Sequence, residues 1–83
     1  NNTSIANGCI IEGTVENSII FRGVTIGRNT VVRNSIVFQD VTIGEDCNIN
    51  NCVFDKNVVV GNRKVLMGDG GLPYVIKKGV VIK

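Results

Sequence analysis

Histidine is absent from this sequence of 83 residues. Histidine is the commonest general base, and it completes serine–histidine and cysteine–histidine nucleophiles and three-histidine zinc sites. None of these can be assembled from the residues present. The adjacent carboxylates Glu45 and Asp46 fall at a predicted corner, where a solvated turn is a simpler interpretation than an acid–base pair. We therefore expect no catalytic site in this chain.

Long apolar runs, a strong net charge and abundant aromatic residues are absent as well. No apolar run exceeds a few residues, which excludes a transmembrane helix. A net charge of +2 and four aromatic residues provide neither the basic surface nor the stacking platform of a nucleic-acid-binding protein. The chain has three cysteines, an odd number, and no signal peptide precedes them. A disulfide framework is therefore not expected, and a reducing compartment fits better. We therefore expect a cytoplasmic chain with no membrane or nucleic-acid partner.

The sequence does contain a 17-residue repeat, clearest from residue 26 to residue 42. Its period is too short for a helical-hairpin repeat, and its apolar residues lie two apart, which is the spacing of a strand. Residues 17 apart share their character in the rows Val24, Val41, Val58; Ile26, Ile43, Val60; Gly27, Gly44, Gly61; and Ile20, Val37, Phe54.

Each repeat predicts one coil of a parallel β-solenoid. Within a repeat the inward apolar residues are Ile26, Val32, Val37 and Ile43, at steps of 6, 5 and 6. This is the hexapeptide pattern with one residue deleted per coil, and it gives three short strands per turn and a triangular cross-section. Equivalent side chains then stack about 4.8 Å apart. The predicted fold class is all-β, a hexapeptide-repeat β-helix with about 17 residues per coil.

We expect a single domain whose regular part is bounded by irregular ends. Terminal repeats are commonly irregular, and the segment MGDGGLP has the glycine and proline content of a loop. The expected divisions of the domain 1–83 are an irregular first coil (1–14), regular coils (15–66), a loop (67–73) and a closing coil (74–83).

Two further rows invite a structural interpretation. Asn17, Asn34 and Asn51 should form an amide ladder along one corner, because asparagine tolerates a left-handed backbone and bonds to its copies. Phe21 and Phe38 follow inward residues one coil apart. Either they face outward, on a surface covered by another domain or subunit, or a bend turns them into the core.

Charge is distributed unevenly along the chain. Residues 1–55 carry three basic and six acidic side chains, whereas residues 56–83 carry six basic and one acidic, a net charge of +5. Lys77 and Lys78 lie in the closing coil. The basic C-terminal end is therefore a candidate for holding an anion.

Four segments resemble a known family: NGCIIEGTVENSIIFRGVTIG (7–27), VVRNSIVFQD (31–40), VTIGEDC (41–47) and CVFDKNVVVG (52–61). They resemble the C-terminal left-handed β-helix of the glucose-1-phosphate adenylyltransferase (ADP-glucose pyrophosphorylase) family of bacterial glycogen synthesis. The tail LPYVIKKGVVI is similar to that of the GlgD-type regulatory subunits.

The resemblance implies a left-handed solenoid that serves oligomerisation and allosteric regulation. It implies an N-terminal nucleotidyltransferase domain outside this sequence, in a family that uses ATP and Mg²⁺, so no cofactor is expected in the β-helix itself. It also implies a homo- or hetero-oligomer, a tetramer in the family, and a sugar-phosphate or AMP effector. Lys56 matches one basic effector-binding position of the family, with lysine in place of arginine, and Lys78 matches another.

Alternatives stay open on the sequence alone. The solenoid would also suit another sugar-phosphate nucleotidyltransferase, because one fold supports several functions. A hexapeptide acyltransferase would need a histidine from a partner chain. Whether the parent protein is a catalytic or a regulatory subunit is also open.

Overall fold

The computed structural model describes residues 2–83, which form strands and turns and no helix. This range accordingly contains no helix able to cross a membrane. The strands are two or three residues long, because a corner follows each one. They are β1 (Ser4–Ile5), β2 (Ile10–Ile11), β3 (Thr14–Glu16), β4 (Ile19–Ile20), β5 (Thr25–Ile26), β6 (Val31–Arg33), β7 (Ile36–Val37), β8 (Thr42–Ile43), β9 (Asn48–Asn50), β10 (Cys52–Phe54), β11 (Val59–Val60), β12 (Val65–Met67), β13 (Tyr74–Ile76) and β14 (Val81–Ile82).

Every strand pairs in parallel with the strand three places away in the chain, so the described residues wind as a parallel β-solenoid. Sheet I consists of β1, β4, β7, β10 and β13, and sheet II of β2, β5, β8, β11 and β14. Sheet III consists of β3, β6, β9 and β12. Coils 1 to 4 each contribute one strand to every sheet, and coil 5 contributes β13 and β14. The predicted fold class is confirmed.

The repeat register holds through the middle of the solenoid. Ile20 pairs with Val37, and Val37 pairs with Phe54, all in sheet I. The spacing changes at both ends. Ile5 pairs with Ile20, a shorter step than the regular one, and Phe54 pairs with Ile76, a longer step. The inward residue keeps its place in each case, because a shift by one would turn the whole apolar set outward.

The core is a column of stacked isoleucine and valine side chains together with Cys47, Cys52 and Phe54. Three polar side chains are buried beside it, and each has a hydrogen-bond partner, as burial requires. The backbone N–H of Ser35 donates to Ser18 Oγ at 3.1 Å, and that of Cys52 donates to Ser35 Oγ at 3.1 Å. Ser18 and Ser35 thus each accept a hydrogen bond from the backbone of the following coil. The buried apolar residues are Ile20, Val24, Ile26, Val32, Val37, Val41, Ile43, Cys47, Ile49, Cys52, Phe54, Val58, Val60 and Ile76.

The corners need two kinds of residue. Asparagine, aspartate or glycine occupies most positions with a left-handed backbone, such as Asn34 with φ 53° and Gly23 with φ 73°. Glycine is needed elsewhere for space. A Cβ on Gly27 would lie 2.7 Å from the carbonyl carbon of Gly44 on the next coil. Gly27 is therefore required by close contact between coils, whereas Gly61 in the same row has more room, with its nearest atom 3.2 Å away.

The asparagine ladder differs from its prediction at its last step. Asn17 Nδ2 donates to Asn34 Oδ1 at 2.6 Å, as predicted. Asn34 Nδ2 then donates to Asn50 Oδ1 at 2.9 Å, whereas the prediction named Asn51. Asn51 instead donates to the carbonyl oxygen of Asp69. The loop that follows β12 supplies this acceptor, so the last amide of the row turns towards it.

Candidate functional site

Lys56 and Lys78 occupy equivalent positions on adjacent coils, at the corner between sheets I and II. The pairing of Phe54 with Ile76 sets this alignment, since each lysine lies two residues after its paired residue. The two turns are also in contact, because the backbone N–H of Gly79 donates to the carbonyl oxygen of Lys56 at 3.0 Å. The structure thus brings together the two residues that the family resemblance selects.

One carboxylate lies among the lysines of this corner. Asp55 Oδ1 accepts from the backbone N–H of Lys56 at 2.7 Å and lies 3.8 Å from Lys56 Nζ. Lys77 is aligned with Asp55 on the next coil. The Lys56 and Asp55 side chains are 45% and 43% exposed, so water screens their attraction. We define Lys56, Lys77 and Lys78 as the lysine corner, which carries three positive charges beside the one negative charge of Asp55.

The lysine corner is an open surface. Lys77 and Lys78 are exposed, Lys56 is half-buried, and no pocket of ligand size opens among residues 2–83. Small-molecule sites are concave and bury most of their ligand. The corner can supply positive charge to an anion, but an enclosing site would need atoms from outside these residues.

The other titratable groups do not converge on a reactive centre. Glu45 lies 3.2 Å from Arg28 of the preceding coil, and Asp46 forms an exposed corner with φ 59°. Burial raises the pKa of the Cys52 thiol, although hydrogen bonding with the backbone of Asn50 and Gly68 partly opposes this effect. Across the described part of the chain, cysteine and acidic side chains form no cluster that could hold a metal ion.

The phenylalanine pair faces outward. The ring centroids of Phe21 and Phe38 are 4.8 Å apart, and the Phe21 side chain is 38% exposed. The pair adjoins a stacked row of outward apolar residues in sheet I that the sequence analysis did not single out. The signal was present, because each of these residues precedes an inward residue. The row contains Ile19, Ile36, Val53 and Val75.

The sequence profile of the GlmU-like, C-terminal hexapeptide family matches residues 1–70. The chain belongs to this family. This GlmU-like hexapeptide chain therefore shares a sequence pattern with that family through coil 4 and the start of the following loop.

Curated relatives of this chain include proteins named for glycogen biosynthesis and glucose-1-phosphate adenylyltransferases. The glycogen biosynthesis protein GlgD of Geobacillus stearothermophilus is 71% identical over 28 residues, which is 34% of this chain and 8% of the relative. GlgD of Bacillus subtilis is 55% identical over 29 residues, 35% of this chain and 8% of the relative. A glucose-1-phosphate adenylyltransferase of Clostridium botulinum is 48% identical over 31 residues, 37% of this chain and 8% of the relative. The matched segments thus span less than a tenth of these relatives.

Proposed function

We propose that this chain is the non-catalytic β-helix domain of a glucose-1-phosphate adenylyltransferase, or of its GlgD-type subunit, in cytoplasmic ADP-glucose synthesis. In that protein the solenoid serves oligomerisation and allosteric regulation. The parent protein also contains an N-terminal nucleotidyltransferase domain that uses ATP and Mg²⁺. The matches to GlgD proteins and glucose-1-phosphate adenylyltransferases support this proposal over one in which the parent is another sugar-phosphate nucleotidyltransferase.

The regulatory part of the proposal is carried by the alignment of Lys56 with Lys78. Two ammonium groups on adjacent coils repel each other, and a phosphorylated ligand placed between them would relieve that repulsion. Each charge-assisted hydrogen bond contributes about 1.5–3 kcal/mol, and less where water screens it. The phosphate group of a sugar phosphate or of AMP can accept such hydrogen bonds from both lysines.

The openness of the lysine corner predicts weak binding by the isolated chain. A flat surface leaves most of a small ligand in water, so an affinity for a sugar bisphosphate in the millimolar range or weaker is expected, about −4 kcal/mol. The nucleotidyltransferase domain of the parent protein would supply the rest of the pocket. We therefore expect effector regulation in the assembled enzyme and not in the isolated chain.

An effector titration of the assembled parent enzyme tests the proposal. Lys56→Ala should reduce effector affinity by about tenfold, the equivalent of one lost charge-assisted contact, while basal activity stays unchanged. The measurement is ADP-glucose formation against the concentration of a sugar phosphate or AMP. Gln39→Ala is the matched control, because Gln39 holds the same position one coil earlier and carries no charge. If Lys56→Ala and wild type share half-saturation and maximal activation, Lys56 is an ordinary solvated corner residue.

A further inference from the structure

Asn7 and Gly8 form the first corner of the solenoid, between β1 and β2. Asn7 is the only asparagine of the sequence that a glycine follows. Both residues are exposed, and Gly8 has φ 77°, a left-handed conformation that suits glycine. Glycine has no side chain to shield its backbone nitrogen, so this nitrogen can approach the side-chain amide of Asn7 more easily than that of a bulkier residue could.

The backbone N–H of Gly8 has no acceptor among the described residues. At the equivalent corner of a later coil, the N–H of Asp40 donates to the carbonyl oxygen of Arg22 on the coil before it, at 3.1 Å. Gly8 lies on coil 1, and the described residues contain no earlier coil. The Asn7 side chain takes part in no hydrogen bond within this range either. Both groups that would react with each other are therefore free.

The asparagines of the ladder are held at both of these groups. The side chain of Asn34 donates to Asn50 Oδ1 at 2.9 Å. The N–H of Ser35, the residue after it, donates to Ser18 Oγ at 3.1 Å, and Ser35 is buried. Cyclisation at Asn34 would have to break both bonds. At Asn7 it needs only a local opening of a coil paired on one side, and openings at the ends of a fold cost little free energy.

We propose that Asn7 is a site of spontaneous deamidation in the folded chain. A base in solution takes the proton from the Gly8 nitrogen, which then bonds to Asn7 Cγ. The bond between Cγ and Nδ2 breaks, and the amide nitrogen takes a proton from water and leaves as ammonia. A second water opens the succinimide ring at one of its two carbonyl carbons, which gives either aspartate or isoaspartate. Water is the only co-reactant.

The product places a carboxylate on an exposed corner near a positive charge. Asn7 lies one coil before Arg22 in the same row, and both side chains are exposed. Lys56 lies three coils from Asn7, about 14 Å at about 4.8 Å per coil. This exceeds the screening length of about 8 Å at physiological ionic strength. The lysine corner therefore keeps its charge environment, and the inference is independent of the proposed effector site.

Peptide mapping by mass spectrometry tests the proposal on the 83-residue chain. The chain is incubated at mildly alkaline pH, folded in buffer and unfolded in guanidinium chloride, and the mass gain at each asparagine is followed with time. Methyl transfer by a protein isoaspartate methyltransferase detects the isoaspartate product. Asn7→Gln is the control for assignment, because glutamine would have to close a larger ring. Asp69 also precedes a glycine, but its cyclisation loses water and regains it, so it adds no mass.

The comparison of folded with unfolded chain separates the effect of the structure from that of the sequence. Asn34 should react at least about tenfold more slowly in the folded chain, because its hydrogen bonds and those of Ser35 must open first. Asn7 should react at rates within about threefold of each other in the two states. Protection of Asn7 equal to that of Asn34 would overturn the proposal, as would a mass gain in the first coil that persists in Asn7→Gln.

Discussion

Replacing Val37 by aspartate tests the register of the solenoid at its centre. Val37 is fully buried between Ile20 and Phe54 in the inward column of sheet I. The change removes an apolar burial worth about 1.5–3 kcal/mol and adds the cost of an unpaired buried carboxylate, roughly several kcal/mol more. A domain of this length has a total stability of roughly 4–12 kcal/mol. The variant should therefore be largely unfolded at neutral pH.

Urea unfolding followed by far-ultraviolet circular dichroism measures this loss. Thr42→Asp is the control, because Thr42 points outward from the same coil, and its effect should stay within about 0.5 kcal/mol. Val37→Ala should retain the fold with a loss of about 2–3 kcal/mol, which combines lost burial with a small cavity. If Val37→Asp unfolded at the wild-type urea concentration, Val37 would not be an inward residue and the register would be wrong.

Two further substitutions test a corner and a thiol. Arg63 has φ 60° at the corner position that Asn29 and Asp46 hold in earlier coils, so Arg63→Asn should relieve about 1 kcal/mol and raise the melting temperature by about 4–8 °C. Arg63→Ala is the control and should give no such gain in the same calorimetric scan; an equal rise in both variants would contradict the backbone explanation. Burial raises the pKa of the Cys52 thiol, so the unfolded chain ionises first and stability falls as the pH rises above about 8.5. In Cys52→Ser a hydroxyl extends the row of Ser18 and Ser35, and the melting temperature should fall less than that of the wild type between about pH 7 and about pH 10. An equal fall in the two proteins would mean that other groups cause it.

The regular coils could be predicted because each inward row repeats its chemistry. Ile20, Val37 and Phe54 differ in size, yet all three are apolar and sit one repeat apart, and the structure pairs them. The number of residues in the first coil, from Ile5 to its paired residue Ile20, could not be predicted. Ile5 reaches Ile20 by a shorter step because the corner between β2 and β3 is two residues shorter than the corner between β5 and β6. Corner length follows from backbone geometry more than from side-chain pattern.

The site could be predicted only in part. The proximity of Lys56 to Lys78 depends on the lengthened last step. The sequence predicts a loop at residues 67–73 but not the register in which the closing coil then pairs with the coil before it. The turn of Asn51 towards Asp69 depends on the path of that same loop. The outward row of sheet I could be predicted from alternation, because each of its residues precedes an inward residue.

The loop after β12 shows where this kind of chain can change its length. It lengthens the regular step, yet Cys52 pairs with Tyr74, and Val59 with Val81, as if nothing had been inserted. Gly70 and Gly71 have no neighbouring atoms within 4 Å of where a Cβ would be, so the loop extends away from the stack. Insertions at a corner leave the inward column untouched, whereas an insertion within a strand would invert it. Corners are therefore the places where such a protein could acquire new loops during evolution, or accept grafted peptides in the laboratory, without losing its fold.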